Sequence, residues 1–190
     1  MAEKIDFSKV RFLIVDPNPL ALQMLNDILS MLGATFVRRV TDYDKAMDVL
    51  KEGNIDILIT EREITPKNGI ELVDFIRNDP SSRDRLLPVI VLTARSEEPF
   101  VVEARDHGAN EFVAKPYTVD SLYKRLSAVI AYPRSYVNAP GYFGPERRRK
   151  QLPFNGPERR GVDPNAPPPR APVDTSASAK PAVDQRAPKA

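Results

Sequence analysis

Apolar positions along the chain alternate between two patterns. Short runs rich in Val and Ile read as strands: Phe12-Leu13-Ile14-Val15, Ala34-Thr35-Phe36-Val37, Ile57-Leu58-Ile59-Thr60, Val89-Ile90-Val91-Leu92 and Glu111-Phe112-Val113-Ala114. Between them lie segments of helical period. Leu20, Met24, Leu25, Ile28, Leu29 and Leu32 make one inward stripe, and Gly33 is a natural stop. Ala46, Val49 and Leu50 mark a second helix. Ile70, Leu72, Val73, Phe75 and Ile76 mark a third, closed by Asp79-Pro80. A fourth runs from about Pro99 to His107, before Gly108. The fifth spans about Val119 to Ala131, with Leu122, Leu126, Val129 and Ile130 inward. Strands apolar on both faces, alternating with helices, predict a doubly wound α/β domain on a five-stranded parallel sheet.

In such a sheet the functional site lies outside the carboxyl ends of the strands. Four of the runs end there in a polar residue: Asp16, Glu61, Thr93 and Lys115, the last followed by Pro116. These four are expected to share one pocket. Each also has a plainer reading. Asp16 or Thr93 would cap the following helix, and Glu61 with Lys115 would form a structural ion pair. Glu63, two residues past Glu61, rims the same pocket and could pair with Arg95.

From Pro133 onward the character changes. Twelve of the 19 prolines lie there, with few large apolar residues. Such composition does not offset the entropy of ordering, so residues 133–190 are expected to be disordered beyond a domain at 8–132. One motif interrupts the monotony. Tyr142-Phe143-Gly144-Pro145-Glu146-Arg147-Arg148 recurs as Phe154-Asn155-Gly156-Pro157-Glu158-Arg159-Arg160. Tyr142, Phe143 and Phe154 are candidate anchors, and Arg147, Arg148, Arg159 and Arg160 candidate contacts to an acidic or phosphorylated partner. Any order in this segment has to come from a partner or from docking on the acidic body.

Charge follows the same division. Residues 133–190 hold 11 of the 28 Lys and Arg but only 5 of the 26 Asp and Glu. The body is mildly acidic and the end basic. There is no cysteine, and His107 is the only histidine, so thiolate chemistry and a zinc site are not expected. No run approaches the roughly 20 apolar residues of a membrane span, and the first residues lack a secretory h-region. The expectation is a cytoplasmic protein.

Order and spacing together make residues 8–132 similar to the receiver domain of two-component response regulators, a flavodoxin-like fold. The resemblance rests on Val15-Asp16, Leu32-Gly33, Glu61 with Gly69 after it, Leu92-Thr93-Ala94 and Phe112-Val113-Ala114-Lys115-Pro116. It implies that Glu61 stands where a phosphate-accepting aspartate would. It implies metal orientation for Asp16, phosphoryl contacts for Thr93 and Lys115, a switching aromatic at Phe112, and a cis Lys115-Pro116 bond. Phe112 also reads as an ordinary packed aromatic.

Two departures bear on chemistry. Asp16-Pro17 replaces the family's acidic pair, and Glu61 carries its carboxylate one methylene farther out. Magnesium demands near-ideal octahedral geometry, and catalytic geometry tolerates little displacement. Magnesium at Asp16, Glu61 and Glu63 is therefore expected to be weak at best, and no other cofactor is expected. The reading is a non-enzymatic receiver that binds proteins independently of phosphorylation. Its expected partners are a histidine kinase, a phosphotransferase or a downstream target, with a further partner for the tail. A Glu in place of the aspartate could also hold an active-like state. The rival readings are a working phosphoacceptor and, through the basic tail, a binder of nucleic acid or an anionic surface. The mild net charge of +2 argues against nucleic acid.

Overall fold

The computed structural model describes residues 5–94 and 97–147 of the 190. Five parallel strands, β1 (Arg11–Val15), β2 (Phe36–Val40), β3 (Ile57–Glu61), β4 (Val89–Thr93) and β5 (Glu111–Ala114), form one sheet in the order β2-β1-β3-β4-β5. β3 and β4 are buried at every position, as continuous apolar runs require in a sheet covered on both faces. Register pairs Val15 with Thr60, Glu61 with Leu92 and Thr93 with Ala114. The strands therefore end in line, and the polar residues that close them meet along one edge.

The expected run at Ala34–Val37 becomes a strand slightly later, through Arg38 and Arg39. At the sheet edge those arginines face outward, to Glu52 and Gln23, so the strand continues without being apolar.

Five helices cover the sheet: α1 (Pro19–Met31), α2 (Tyr43–Glu52), α3 (Gly69–Asn78), α4 (Glu98–Asp106) and α5 (Val119–Ala131). Side chains satisfy the first-turn amides of several: Asn18 caps α1, Asp42 caps α2, and reciprocal capping boxes start α3 (Asn68 with Glu71) and α5 (Thr118 with Ser121). One core joins α1 and α5 to the sheet, the other α2 and α3 with Ala104 of α4. The inward stripe of α1 differs from expectation. Leu22, Leu25, Ile28 and Leu29 are buried, whereas Leu20 and Met24 stand 75% and 64% exposed. Leu22, Leu25, Ile28 and Leu29 still lie at helical spacing, and Leu20 and Met24 fall outside that stripe.

The second difference is at the C-terminal end. Disorder expected from 133 onward does not begin there. The chain turns at Tyr132 into an antiparallel hairpin, β6 (Tyr136–Ala139) and β7 (Tyr142–Pro145), joined by Pro140-Gly141. Proline fixes one φ and Gly141 takes φ +76, a backbone that suits glycine. A lone hairpin is marginal in water; this one docks on the domain. Tyr136 Oη donates to Leu86 O at 2.9 Å, and Arg134 Nη2 to Asn110 O at 2.8 Å. Phe143 is buried under the Arg85 guanidinium, 3.9 Å from its ring centroid, and packs on Tyr136. Gly144 lies so close to Gly108 that a Cβ on it would come within 2.8 Å of the Gly108 Cα. Arg148 and the second copy, with Phe154, Arg159 and Arg160, lie outside the described residues.

Candidate functional site

At the carboxyl edge of the sheet, the Lys115 ammonium lies between two carboxylates. Its Nζ donates to Asp16 Oδ2 at 2.6 Å and to Glu61 Oε2. Asp16 and Glu61 are both buried. Their other oxygens are held by backbone amides: Asp16 Oδ1 accepts from Asn18 N at 2.8 Å, and Glu61 Oε1 from Arg62 N at 2.8 Å. Burial pulls the Lys115 pKa down, but the hydrogen bonds and charges of Asp16 and Glu61 outweigh it and raise it above the ordinary 10.5. Lysine is therefore charged throughout the physiological range and ties the two acids together.

Local sequence explains the placement. The bonds Thr65-Pro66 and Lys115-Pro116 are both cis; the second is the isomer expected. Lys115 N also donates to Thr93 O at 2.8 Å, bringing the ends of β4 and β5 together. Gly69 N donates to Arg62 O, and a Cβ at Gly69 would overlap the Glu61 carbonyl oxygen and sit 2.9 Å from Thr60 Oγ1. Glycine there lets the loop after β3 fold tightly over Glu61.

The expected pocket residues Asp16, Glu61, Thr93 and Lys115 are thus at one edge, with the Thr93 residue 1% exposed. Glu63 is exposed, and its amide, 3.4 Å from Glu61 Oε1, faces the pocket. Its proposed partner Arg95 lies outside the described residues. Phe112 is half-buried against the α2–α3 core. Tyr117 was not anticipated. Burial raises its hydroxyl pKa, against the field of Lys115. Arg62 was also missed: it clamps the loop to α4 through Glu103 at 2.6 Å and covers the Phe100 ring. Neither belongs to an apolar period or a strand end, so no pattern flagged them.

Receiver chemistry implies a magnesium ion, and Asp16, Glu61 and the nearby Glu63 are the carboxylates that would hold one here. Among the described residues no three or more Asp, Glu or His side chains are grouped as a metal site. The inner oxygens of Asp16 and Glu61 face an ammonium, and Pro17 offers no third carboxylate.

Five parallel strands in the order 2-1-3-4-5, with an acid–lysine pocket at their carboxyl ends, define a receiver-type signalling domain. The response regulator receiver domain family matches residues 12–127, and the chain belongs to that family. It is 30% identical over 120 residues to chemotaxis protein CheY of Pseudomonas aeruginosa, covering 63% of this chain and 95% of that protein. Over 120 residues it is 29% identical to the phosphate regulon transcriptional regulatory protein PhoB of Escherichia coli, covering 63% of this chain and 51% of PhoB. A two-component response regulator from Clostridium difficile shares the fold with a TM-score of 0.58 at 20% identity, over 65% of this chain and 97% of that one. The hairpin falls beyond the matched residues. No helix among the described residues is long and apolar enough to cross a membrane.

Proposed function

We propose that this receiver transmits signals as a protein-interaction module without accepting phosphate and without enzymatic turnover. The observation that carries the reading is Lys115 held between Asp16 and Glu61. In a phosphoaccepting site the lysine has to contact an added phosphoryl group. Here two of its three donors already serve carboxylates, and the acceptor position carries a longer side chain. Both acids would need to lose that partner before a magnesium ion could enter, and removing one partner of a buried pair is costly.

The partners in this reading are cytoplasmic components of a two-component pathway: a histidine kinase, a phosphotransferase or a downstream target. The working unit includes the docked hairpin, Tyr136–Pro145, beyond the residues matched by the receiver family. Incubation of the chain with acetyl phosphate and magnesium, followed by intact-mass measurement, tests it. The expected spectrum is unchanged. A stoichiometric phosphoryl adduct that disappears in Glu61→Gln overturns the reading in favour of a working phosphoacceptor.

A further inference from the structure

Of the five helices, α4 buries the fewest residues. Ala104 is its one buried side chain, and its first turn has no side-chain cap. α5, by contrast, buries Leu122, Leu126, Val129 and Ile130 and starts in a capping box. A nine-residue helix is marginal alone, because helices this short draw their stability from packing. The contacts that hold α4 come from its surroundings. Arg62, in the loop over Glu61, bonds Glu103 at 2.6 Å and covers the Phe100 ring. His107 Nδ1 lies 2.7 Å from Asp74 Oδ1 of α3.

The hairpin is built onto the turn that ends α4. His107 N donates to Glu103 O and Ala109 N to Ala104 O, each at 3.0 Å, and Gly108 between them takes φ +92. Arg147 Nη1 pairs with Asp106 Oδ1, on the last residue of the helix, at 3.1 Å. The Tyr142 ring, 3.8 Å from the Arg147 guanidinium, steadies that fork. A Cβ on Gly108 would come within 2.9 Å of Phe143 O, and one on Gly144 within 2.8 Å of Gly108 Cα. Backbone meets backbone there, so the end of α4 has little room to shift while the hairpin is docked.

This seat fits one copy of the repeated motif. Gly156-Pro157-Glu158-Arg159 matches Gly144-Pro145-Glu146-Arg147, but Asn155 stands where the first copy has the buried Phe143. Phe143 fills a place against Tyr136 and the Arg85 guanidinium. An amide buried there without partners is unfavourable.

We propose that the docked hairpin is an intramolecular clamp on α4. Hairpin docking, not a phosphoryl group, sets how firmly α4 and the loop at Arg62 are held. The proposal rests on the interaction-module reading and deepens it by naming its regulation. The restraint runs through adjoining contacts. Phe143 seats the hairpin, Gly144 and Arg147 hold the end of α4, and Glu103 of α4 holds Arg62. The Arg62 amide in turn donates to Glu61 Oε1 at 2.8 Å. A segment with few buried groups opens locally at low free energy, so losing a restraint shows there first.

Hydrogen exchange of the full chain, followed by NMR, tests the clamp. Phe143→Asn copies the second repeat and removes the anchor. The hairpin amides should lose protection, and the amides of His107 and Ala109 should exchange about tenfold faster. The Arg62 amide should follow to a smaller degree, with α1 and α5 unchanged. Arg147→Gln keeps the anchor and removes only the ion pair to Asp106. It should quicken His107 and Ala109 about threefold while the hairpin stays protected. The proposal is overturned if the hairpin opens in Phe143→Asn while α4 keeps its protection, or if α1 and α5 loosen as much as α4. It is equally overturned if Arg147→Gln leaves α4 unchanged, or if Arg62 keeps its protection while α4 loses it. A phosphorylated Glu61 would remove the module reading and leave this exchange pattern intact. An α4 indifferent to the hairpin would remove the clamp and leave Glu61 unphosphorylated.

Discussion

At the carboxyl end of the sheet, one ammonium is shared by Asp16 and Glu61. At the opposite end, where Asn110 meets the first residue of β4, one guanidinium does similar work. Arg77 is 0% exposed and donates to Gly108 O at 3.0 Å, Arg85 O at 2.8 Å and Asn110 Oδ1 at 2.9 Å. Both ends satisfy a cation with several acceptors, Arg77 fully buried and Lys115 partly so. They differ in what closes them. The upper site is closed by residues of the domain itself. The lower one is covered by an appended hairpin, whose Tyr136 ring lies 5.3 Å from the Arg77 guanidinium. A buried charge at a strand end therefore does not by itself mark a chemical site; what faces it decides.

The comparison breaks most visibly at Arg77. Arg77→Ala removes the Arg77 donor from Gly108 O and Arg85 O, leaves Asn110 Oδ1 with Val89 N alone, and should cost about 4 kcal/mol, at roughly 1–3 kcal/mol for each lost bond plus the lost packing. Urea unfolding checks this, and hydrogen exchange should show the hairpin amides losing protection. A loss below about 1 kcal/mol would mean that Arg77 is not the centre of that end.

Lys115→Met should follow, at about 3 kcal/mol, because it leaves two carboxylates facing each other with no cation between them. If Lys115→Met unfolds at the same urea concentration as the intact chain at neutral pH, the ion triad is not structural.

Gly69→Ala sharpens the account of the upper end. Its Cβ would overlap the Glu61 carbonyl, so the loop has to move, at about 2 kcal/mol. The expected NMR signature is displacement of the Glu61 and Lys115 amides with the hairpin unmoved.

The smallest effect is alkaline. The folded pKa of Lys115 lies above its ordinary 10.5. Its contribution to stability is therefore complete below that value and lost as pH rises through the folded value. The difference in stability between the intact chain and Lys115→Met should shrink only above about pH 10. Shrinkage between pH 7 and 9 would contradict the raised pKa.

The two ends also differ in how far the sequence discloses them. Asp16, Glu61, Thr93 and Lys115 each close a recognisable apolar run, so a parallel sheet with aligned ends places them together. Gly69 was legible from its spacing to Glu61. Arg77 was not, because a lone arginine in the last turn of a helix reads as a solvated charge. The hairpin was hidden for a similar reason. Proline-rich composition describes a segment's inability to form its own core, and it is silent on a core that another domain supplies. Phe143 and Tyr136 bury their rings against Arg85, Arg77 and Asn110, none of which carries a pattern pointing to residues 133–147. On α1 the sequence offers more apolar positions than one face can bury, and the structure buries Leu22, Leu25, Ile28 and Leu29 while leaving Leu20 and Met24 exposed.

The central claim is that the upper pocket is already closed by Lys115 and does not respond to a phosphoryl donor. Backbone NMR spectra of the whole chain before and after addition of magnesium with acetyl phosphate test it most directly. The account predicts that the amides of Asp16, Glu61, Thr93 and Lys115 stay where they are. Saturable displacement of those amides, accompanied by a mass gain of one phosphoryl group, would contradict it.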